Sequence, residues 1–521
     1  MVNPLPLDRI ARAGLVTGTA LTAFAGVAAA QDDDRVERGE YLATAANCAS
    51  CHTAEDGEAF AGGLPVETPF GVLHSPNITP DEATGIGDYS EADFVAAMRQ
   101  GLNGDGEPMY PAHPYTFFSQ MPDEDIAAIW AYMQSLEPVE NEVQVNRLSF
   151  PYNIRAGLTA WQAVFHDPDA RFEPDPDKSE EWNRGAYLVE AVTHCGACHT
   201  PRNVAFARDE DRTLEGAEIR GWYAPNITAG DTSLIEDWSV DELTSYLQSG
   251  ETSDNETSFG PMDEVVHESL AKLRTEDVRA MAVYLKDLRP TDESDLPGSI
   301  SRDYSELADA EQLYITNCVG CHRRDGEGVP GAAPALAGNS AVTAAEPNNV
   351  IMAMLRGLPP EDEWGGMPSY IDQLSNVEIA EITRYVRTAW GNDASERTTA
   401  RLVGQLRLEA TDVMGDDPWQ AMCANLPRSQ VDGDLVTYIG ELSEQGFTDE
   451  EITEAVEYYA REFPDVDAGT ALLGLSTAYC RHLAQSEPNR EEALGMIGRF
   501  NNRISAEIGG EMPEVADAES E

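Results

Sequence analysis

Basic residues are scarce in this chain: 34 Lys and Arg stand against 93 Asp and Glu in 521 residues, a formal net charge of −59. That balance excludes nucleic acid as a partner and makes an anionic lipid surface repulsive. The acidic excess runs along the whole chain instead of collecting in one tail, a distribution that high salt tolerates because screening removes self-repulsion. Long hydrophobic runs are also missing, and no segment after the first 30 residues is apolar enough to cross a bilayer. A Gly-rich flavin fingerprint is absent, and so is a paired acid and base in a recognisable setting. No substrate site of the chain's own is therefore read from the sequence.

Cysteine is sparse too, 8 in all, yet six of the eight fall into one pattern. Cys-X-X-Cys-His occurs at Cys48, Cys51 and His52, at Cys195, Cys198 and His199, and at Cys318, Cys321 and His322. This is the attachment signature of c-type haem. Two thiols three residues apart on a helical turn reach both vinyl groups of one porphyrin as thioethers, and the adjacent histidine meets the iron. Random placement would give a single match in only about two of every thousand chains of this composition. Zinc or a redox dithiol would share the first four residues. The histidine that follows in every copy argues against both. A zinc ribbon also needs its cysteine pairs close together, whereas here they stand 147 and 123 residues apart. Three covalently bound haem c groups are the expectation.

The N-terminus reads as a secretory signal over residues 1–30. Arg9 and Arg12 precede an apolar stretch from Ala13 to Val27, and Ala28, Ala29 and Ala30 lead into a run of aspartates. A membrane anchor is the competing reading, but the stretch is short for a span. Export to the periplasm, at the periplasmic face of the inner membrane, fits a chain that carries haem c.

The first two motif units align. Arg38-Gly39-Glu40-Tyr41-Leu42 precedes the first motif as Arg184-Gly185-Ala186-Tyr187-Leu188 precedes the second, and both motifs run on into threonine, Thr53 and Thr200. Pro76-Asn77-Ile78-Thr79 answers Pro225-Asn226-Ile227-Thr228. Asn-Ile-Thr fits a glycosylation sequon, but its recurrence at one place in the repeat favours a structural role at the haem edge. Ser90 and Ser239 then look like helix N-caps. Each unit closes on an amphipathic helix, Asp123 to Leu136, Thr275 to Leu288 and Ser375 to Ala389, carrying Tyr132, Tyr284 or Tyr385 toward its end. The third unit is shorter, with Asp325-Gly326-Glu327-Gly328 and then Pro334 to Gly338, and the Pro334 carbonyl is the candidate acceptor for the second ring proton of His322.

An electron carrier holds its iron with six ligands, because fixed coordination minimises reorganisation between ferrous and ferric states. Met262 in Gly260-Pro261-Met262 and Met367 in Gly366-Met367-Pro368 stand 63 and 45 residues past their histidines. Core packing is the alternative role for each, but the flanking Gly and Pro make a rigid loop suited to ligation. The first unit departs from this: 61 residues past His52 stands His113, in Tyr110-Pro111-Ala112-His113-Pro114-Tyr115. His113, the nearby Met109 and an open site remain the three possibilities. Bis-histidine ligation would lower that haem's potential.

With these loops placed, residues 35–393 resemble the trihaem cytochrome c subunit of bacterial quinone-linked dehydrogenases for gluconate, fructose, sorbitol, alcohols and aldehydes. The resemblance rests on Gly221 to Thr228 (Gly-Trp-Tyr-Ala-Pro-Asn-Ile-Thr), Asn183 to Glu190, Phe150 to Asn153 and Trp161. The family's methionines map onto Met262 and Met367, while its first loop typically reads Tyr-Pro-Ala-Met-Pro-Tyr, so His113 is a departure. The repeat and its helical periodicity predict a mainly α fold of three tandem small helical cytochrome c domains at 31–136, 182–293 and 300–393, with a connector at 137–181 and an acidic helical extension at 394–521. The resemblance implies an electron-transfer subunit of a multi-subunit dehydrogenase acting on CH–OH donors. A flavin, quinoprotein or molybdenum catalytic subunit would be the donor and ubiquinone or a terminal oxidase the acceptor, with membrane association through the complex.

The extension has no counterpart in that resemblance. Its clearest helix is Thr448 to Phe463, its only cysteines are Cys423 and Cys480, for which a disulfide is the expectation, and docking of the catalytic subunit is one role it could serve. Two other functional classes stay open at this point: a free-standing electron carrier, and a haem enzyme whose first iron is open.

Overall fold

The computed structural model describes residues 33–54, 56–230, 233–252, 256–290, 308–329, 333–359, 365–394, 398–413, 431, 433–443, 447–463 and 468–486, with 496, 500, 503, 504 and 507. The signal stretch 1–30 and Cys423 lie outside the described residues. The described chain is mainly helical and divides into two compact units. One comprises residues up to His194 with Glu268–Met281, the other Cys195–His267 with Ala282 onward. No helix among the described residues is long and apolar enough to cross a membrane.

The first compact unit holds the first repeat copy and the two helix ends that frame the second. An opening helix over 33–45 runs into the motif helix Cys48–His52. The helix Glu91–Gln100 follows, started by a capping box between Ser90 and Asp93 and stopped at Gly101, whose φ of 63° suits glycine. The closing helix is Asp123–Ser135. Leu42, Phe94, Met98, Ile126, Ile129 and Met133 are buried between these helices. The opening and closing helices cross at Gly39, where a Cβ would stand 1.9 Å from the Ala128 carbonyl oxygen and 2.9 Å from Tyr132 Cβ. The second copy repeats the crossing, with the Gly185 position 1.9 Å from the Ala280 oxygen.

The Arg-Gly-X-Tyr-Leu repeat has a further consequence. Arg38 donates from Nε to Asp125 Oδ1 at 2.6 Å, and Arg184 makes a two-pronged contact with Asp277 at 2.7 Å on both oxygens. The tyrosines of the same segments trade places: Tyr187 donates to Asp125 at 2.6 Å and Tyr41 to Asp277 at 2.5 Å. Each closing-helix aspartate thus takes the arginine of its own copy and the tyrosine of the other.

The second compact unit begins at the second motif. A hairpin of Ala217–Ile219 and Trp222–Ala224 turns on Arg220 and Gly221, both with positive φ, as a two-residue turn matched to strand twist requires. The helix Val240–Ser249 starts at a capping box of Ser239 and Glu242. The third copy is built from Ala308–Asn317, Asn348–Arg356 and the closing helix Asn376–Thr388, whose Tyr385 ring packs 5.2 Å from Tyr314 of its opening helix. Ala400–Val413, which the sequence groups with the extension, contributes Val403, Leu406 and Ala410 to this core.

The extension has a separate core from Gly433–Ser443, Asp449–Glu462 and Ala468–Ser486, in which Leu435, Ile439, Ile452, Tyr459, Leu475 and Tyr479 are buried. Thr448 caps its middle helix with Glu451, one residue from the expected start. Cys480 is disulfide-bonded.

Candidate cofactor sites

Each motif forms a short helical turn, Cys48–His52, Gly196–His199 behind Cys195, and Val319–His322 behind Cys318. No disulfide joins the six cysteines of these turns. Burial, and then the neighbouring Cys51, pushes the Cys48 thiol up to about 12. Burial likewise pushes Cys318 to about 12 and Cys321 to about 11. A redox dithiol needs the opposite, a thiol whose pKa is depressed into a reactive thiolate. Neutral thiols held on one helical turn suit addition across vinyl groups.

The three motif histidines share one device. Nδ1 of His52 lies 2.8 Å from the Pro76 carbonyl oxygen, that of His199 lies 2.8 Å from Pro225 and that of His322 lies 3.0 Å from Pro334. Only Nδ1–H can donate there, so each ring is set in the tautomer that leaves Nε2 free for a metal. Burial holds all three imidazoles below their ordinary pKa, against the pull of the proline carbonyl.

Local structure explains how the prolines arrive. In the first copy the hairpin Pro65–Thr68 and Gly71–His74 delivers the chain to Pro76, and in the second Trp222–Ala224 runs straight into Pro225. Asn77 Oδ1 then accepts from the backbone N–H and hydroxyl of Thr79, at 2.9 and 2.8 Å, and Asn226 does the same for Thr228 at 2.8 Å twice. All four side chains are buried. The Asn-Ile-Thr repeat is therefore a turn lock. In the third copy a tight loop replaces the hairpin, with Leu336 and Ala337 donating to the Gly326 oxygen.

The distal candidates follow a second repeated feature. After the middle helix of each copy an αL or positive-φ glycine, Gly101, Gly250 or Gly357, leads into an isolated bridge: Leu102 with Pro108, Glu251 with Thr257, Leu358 with Met367. His113 stands five residues past Pro108 and Met262 five past Thr257, so the two occupy one register. Met109 is adjacent to the bridge, its N–H donating to the Gly101 oxygen at 2.7 Å. Met262 and Met367 are both half-buried, and Met367 packs against the core of the third copy.

His113 is the most informative of these side chains. Its Nε2 is buried and has no hydrogen-bond partner, and its ring lies 5.7 Å from that of Phe118. Burial, reinforced by His52 and His194 nearby, pushes the imidazole down to about 3. A neutral, buried, unpaired nitrogen within electrostatic reach of His52 is costly unless something coordinates it.

Sequence reasoning anticipated Pro334 but not the equivalent roles of Pro76 and Pro225. The signal was present, since both prolines open the same repeated tetrad. It also overlooked Asp125 and Asp277, each the third residue of its closing helix.

The sequence profile of the cytochrome c family matches residues 36–137 and 307–390. The chain is 37% identical over 419 residues to the cytochrome c subunit of a quinone alcohol dehydrogenase from Gluconacetobacter polyoxogenes, covering 75% of this chain and 89% of that one. It is 35% identical over 426 residues to the cytochrome c subunit of gluconate 2-dehydrogenase from Pantoea cypripedii, covering 76% and 95%. It is 41% identical over 365 residues to a nicotinate dehydrogenase subunit of Pseudomonas putida, where 69% of this chain matches only 30% of a much longer protein.

Proposed function

The chain belongs to the family of cytochrome c subunits of quinone-linked dehydrogenases, and on that footing we propose that it is the trihaem electron-transfer subunit of such a complex. Haem c supplies a one-electron centre that the protein has only to hold and tune. Cys48 and Cys51, Cys195 and Cys198, and Cys318 and Cys321 hold one haem each, with His52, His199 and His322 as proximal ligands. Met262 and Met367 are the distal ligands of the second and third sites and His113 that of the first. The observation that carries this reading is the threefold bond from histidine Nδ1 to a proline carbonyl, which presents Nε2 at every motif.

Electrons arrive from a catalytic dehydrogenase subunit and leave to ubiquinone or a terminal oxidase. Export to the periplasm, attachment to the membrane through the complex, and a CH–OH donor as the partner's substrate belong to the same proposal. The unpaired Nε2 of His113 and its shared register with Met262 favour a closed first haem over an open, catalytic one.

Mass spectrometry of the motif peptides with low-temperature electron paramagnetic resonance of the oxidised protein tests this. Haem mass on all three peptides, and low-spin iron whose signal changes on His113→Met, is the expected result. A missing haem removes the count of three. High-spin iron unaffected by the substitution replaces the carrier with a haem enzyme.

A further inference from the structure

The third motif differs from the first in what lies against it. Cys51 is exposed, whereas Cys321 is partly buried and packs on the core of the C-terminal extension. Gly320, between the two cysteines of the third motif, has its Cβ position 3.4 Å from Leu472 Cδ2 on the helix Ala468–Ser486. Val329, seven residues past His322, is itself a member of that core and only 3% exposed. The extension thus packs apolar side chains against the motif turn at Gly320 and at Cys321, the second of its two thioether positions.

We propose that the C-terminal helical module is an insulating cap on the third haem site, closing its Cys321 edge against solvent and against external redox partners. The inference rests on the reading that Cys318 and Cys321 carry a haem. Electron exchange with a soluble reagent requires close approach to a haem edge, and a helix seated on that edge removes the approach. Exclusion of water also disfavours the more highly charged ferric state and raises the potential. The module's apolar side chains form its own core and close on Cys321 and Val329 of the third copy, which gives it a role within the chain itself.

The experiment uses the full chain with Leu472→Glu and Leu475→Glu together, since two carboxylates do not remain in that core. Trypsin cleavage at Arg481 reports release of the helix, mass spectrometry of the Cys318–His322 peptide reports its haem, and stopped-flow reduction by hexaammineruthenium(II) with potentiometry reports the haems. The cap predicts that the phase belonging to the third haem accelerates several-fold and its midpoint falls, while the first haem keeps its rate. An unchanged third phase, or a helix that the substitutions do not loosen, overturns the proposal. Should the double variant lose its third haem, Leu472→Ala is read the same way. Absence of haem from the wild-type peptide would instead sink the functional reading.

Discussion

Copies one and two place an aspartate at the third position of the closing helix, Asp125 and Asp277, and copy three places Glu378 there. The aspartates face inward. Asp125 takes Arg38 and Tyr187, Asp277 takes Arg184 and Tyr41, and the exchange of tyrosines ties the two copies to each other. Glu378 turns back to its own helix start, accepting from the Ser375 backbone N–H at 2.8 Å as part of a capping box. The residue ahead of the helix separates Asp125 from Glu378: Pro122 has no N–H to offer a carboxylate, whereas Ser375 presents one that Glu378 reaches. In copy one the capping pair sits elsewhere, at Ser90 and Asp93 of the middle helix. The first two copies are tied through these aspartates, and the third packs both on the Trp222 hairpin of the second and on the extension.

Four substitutions and one change of condition break or sharpen that contrast. Asp277→Asn leaves Arg184 facing a neutral group in a site 6% exposed and is expected to lower stability by about 3 kcal/mol, read as a fall in denaturant midpoint at unchanged slope. Acid should act on the same tie. Burial alone would raise the Asp277 carboxyl, but hydrogen bonds from Arg184 and Tyr41 outweigh it and hold the group well below its ordinary 3.8. A depressed folded value means the stabilisation is complete above 3.8 and is lost as pH falls below it toward the folded value. Thermal melts from pH 6 to pH 2 should show that acid limb flattened in Asp277→Asn, and an identical limb in both proteins would remove the tie as its cause. Tyr41→Phe and Tyr187→Phe each delete one charge-assisted hydrogen bond, about 1.5 kcal/mol apiece. Thermal melts of the double variant should show a loss larger than either single variant's, and its departure from the sum measures the coupling through Arg184, which binds Asp277 and lies 5.8 Å over the Tyr187 ring. Glu378→Gln, which keeps the capping box, should cost a few tenths of a kcal/mol at most; a loss as large as that of Asp277→Asn would erase the distinction between the copies.

Much of this was legible in the sequence. The motif turns, the N-caps at Ser90 and Ser239, and the closing helices within a residue at each end follow from local rules: periodicity, capping chemistry and the Cys-X-X-Cys-His spacing. His113 stood out as the departure from two methionines. The repeated tetrad marked Pro76 and Pro225, but the delivery of their carbonyls to the histidines depended on hairpins too short to read, three or four residues per strand.

Sequence alone determined the chemistry of the chain, because covalent haem attachment needs cysteines and histidine at fixed spacing on one turn, and spacing is a property of the chain. Tertiary structure alone decided which distant groups meet. Asp277 finds Tyr41 across 236 residues and the extension finds Gly320 and Val329. Such pairings are chosen by packing and by the cost of leaving a buried carboxylate or an apolar helix face without a partner, and no local pattern records them.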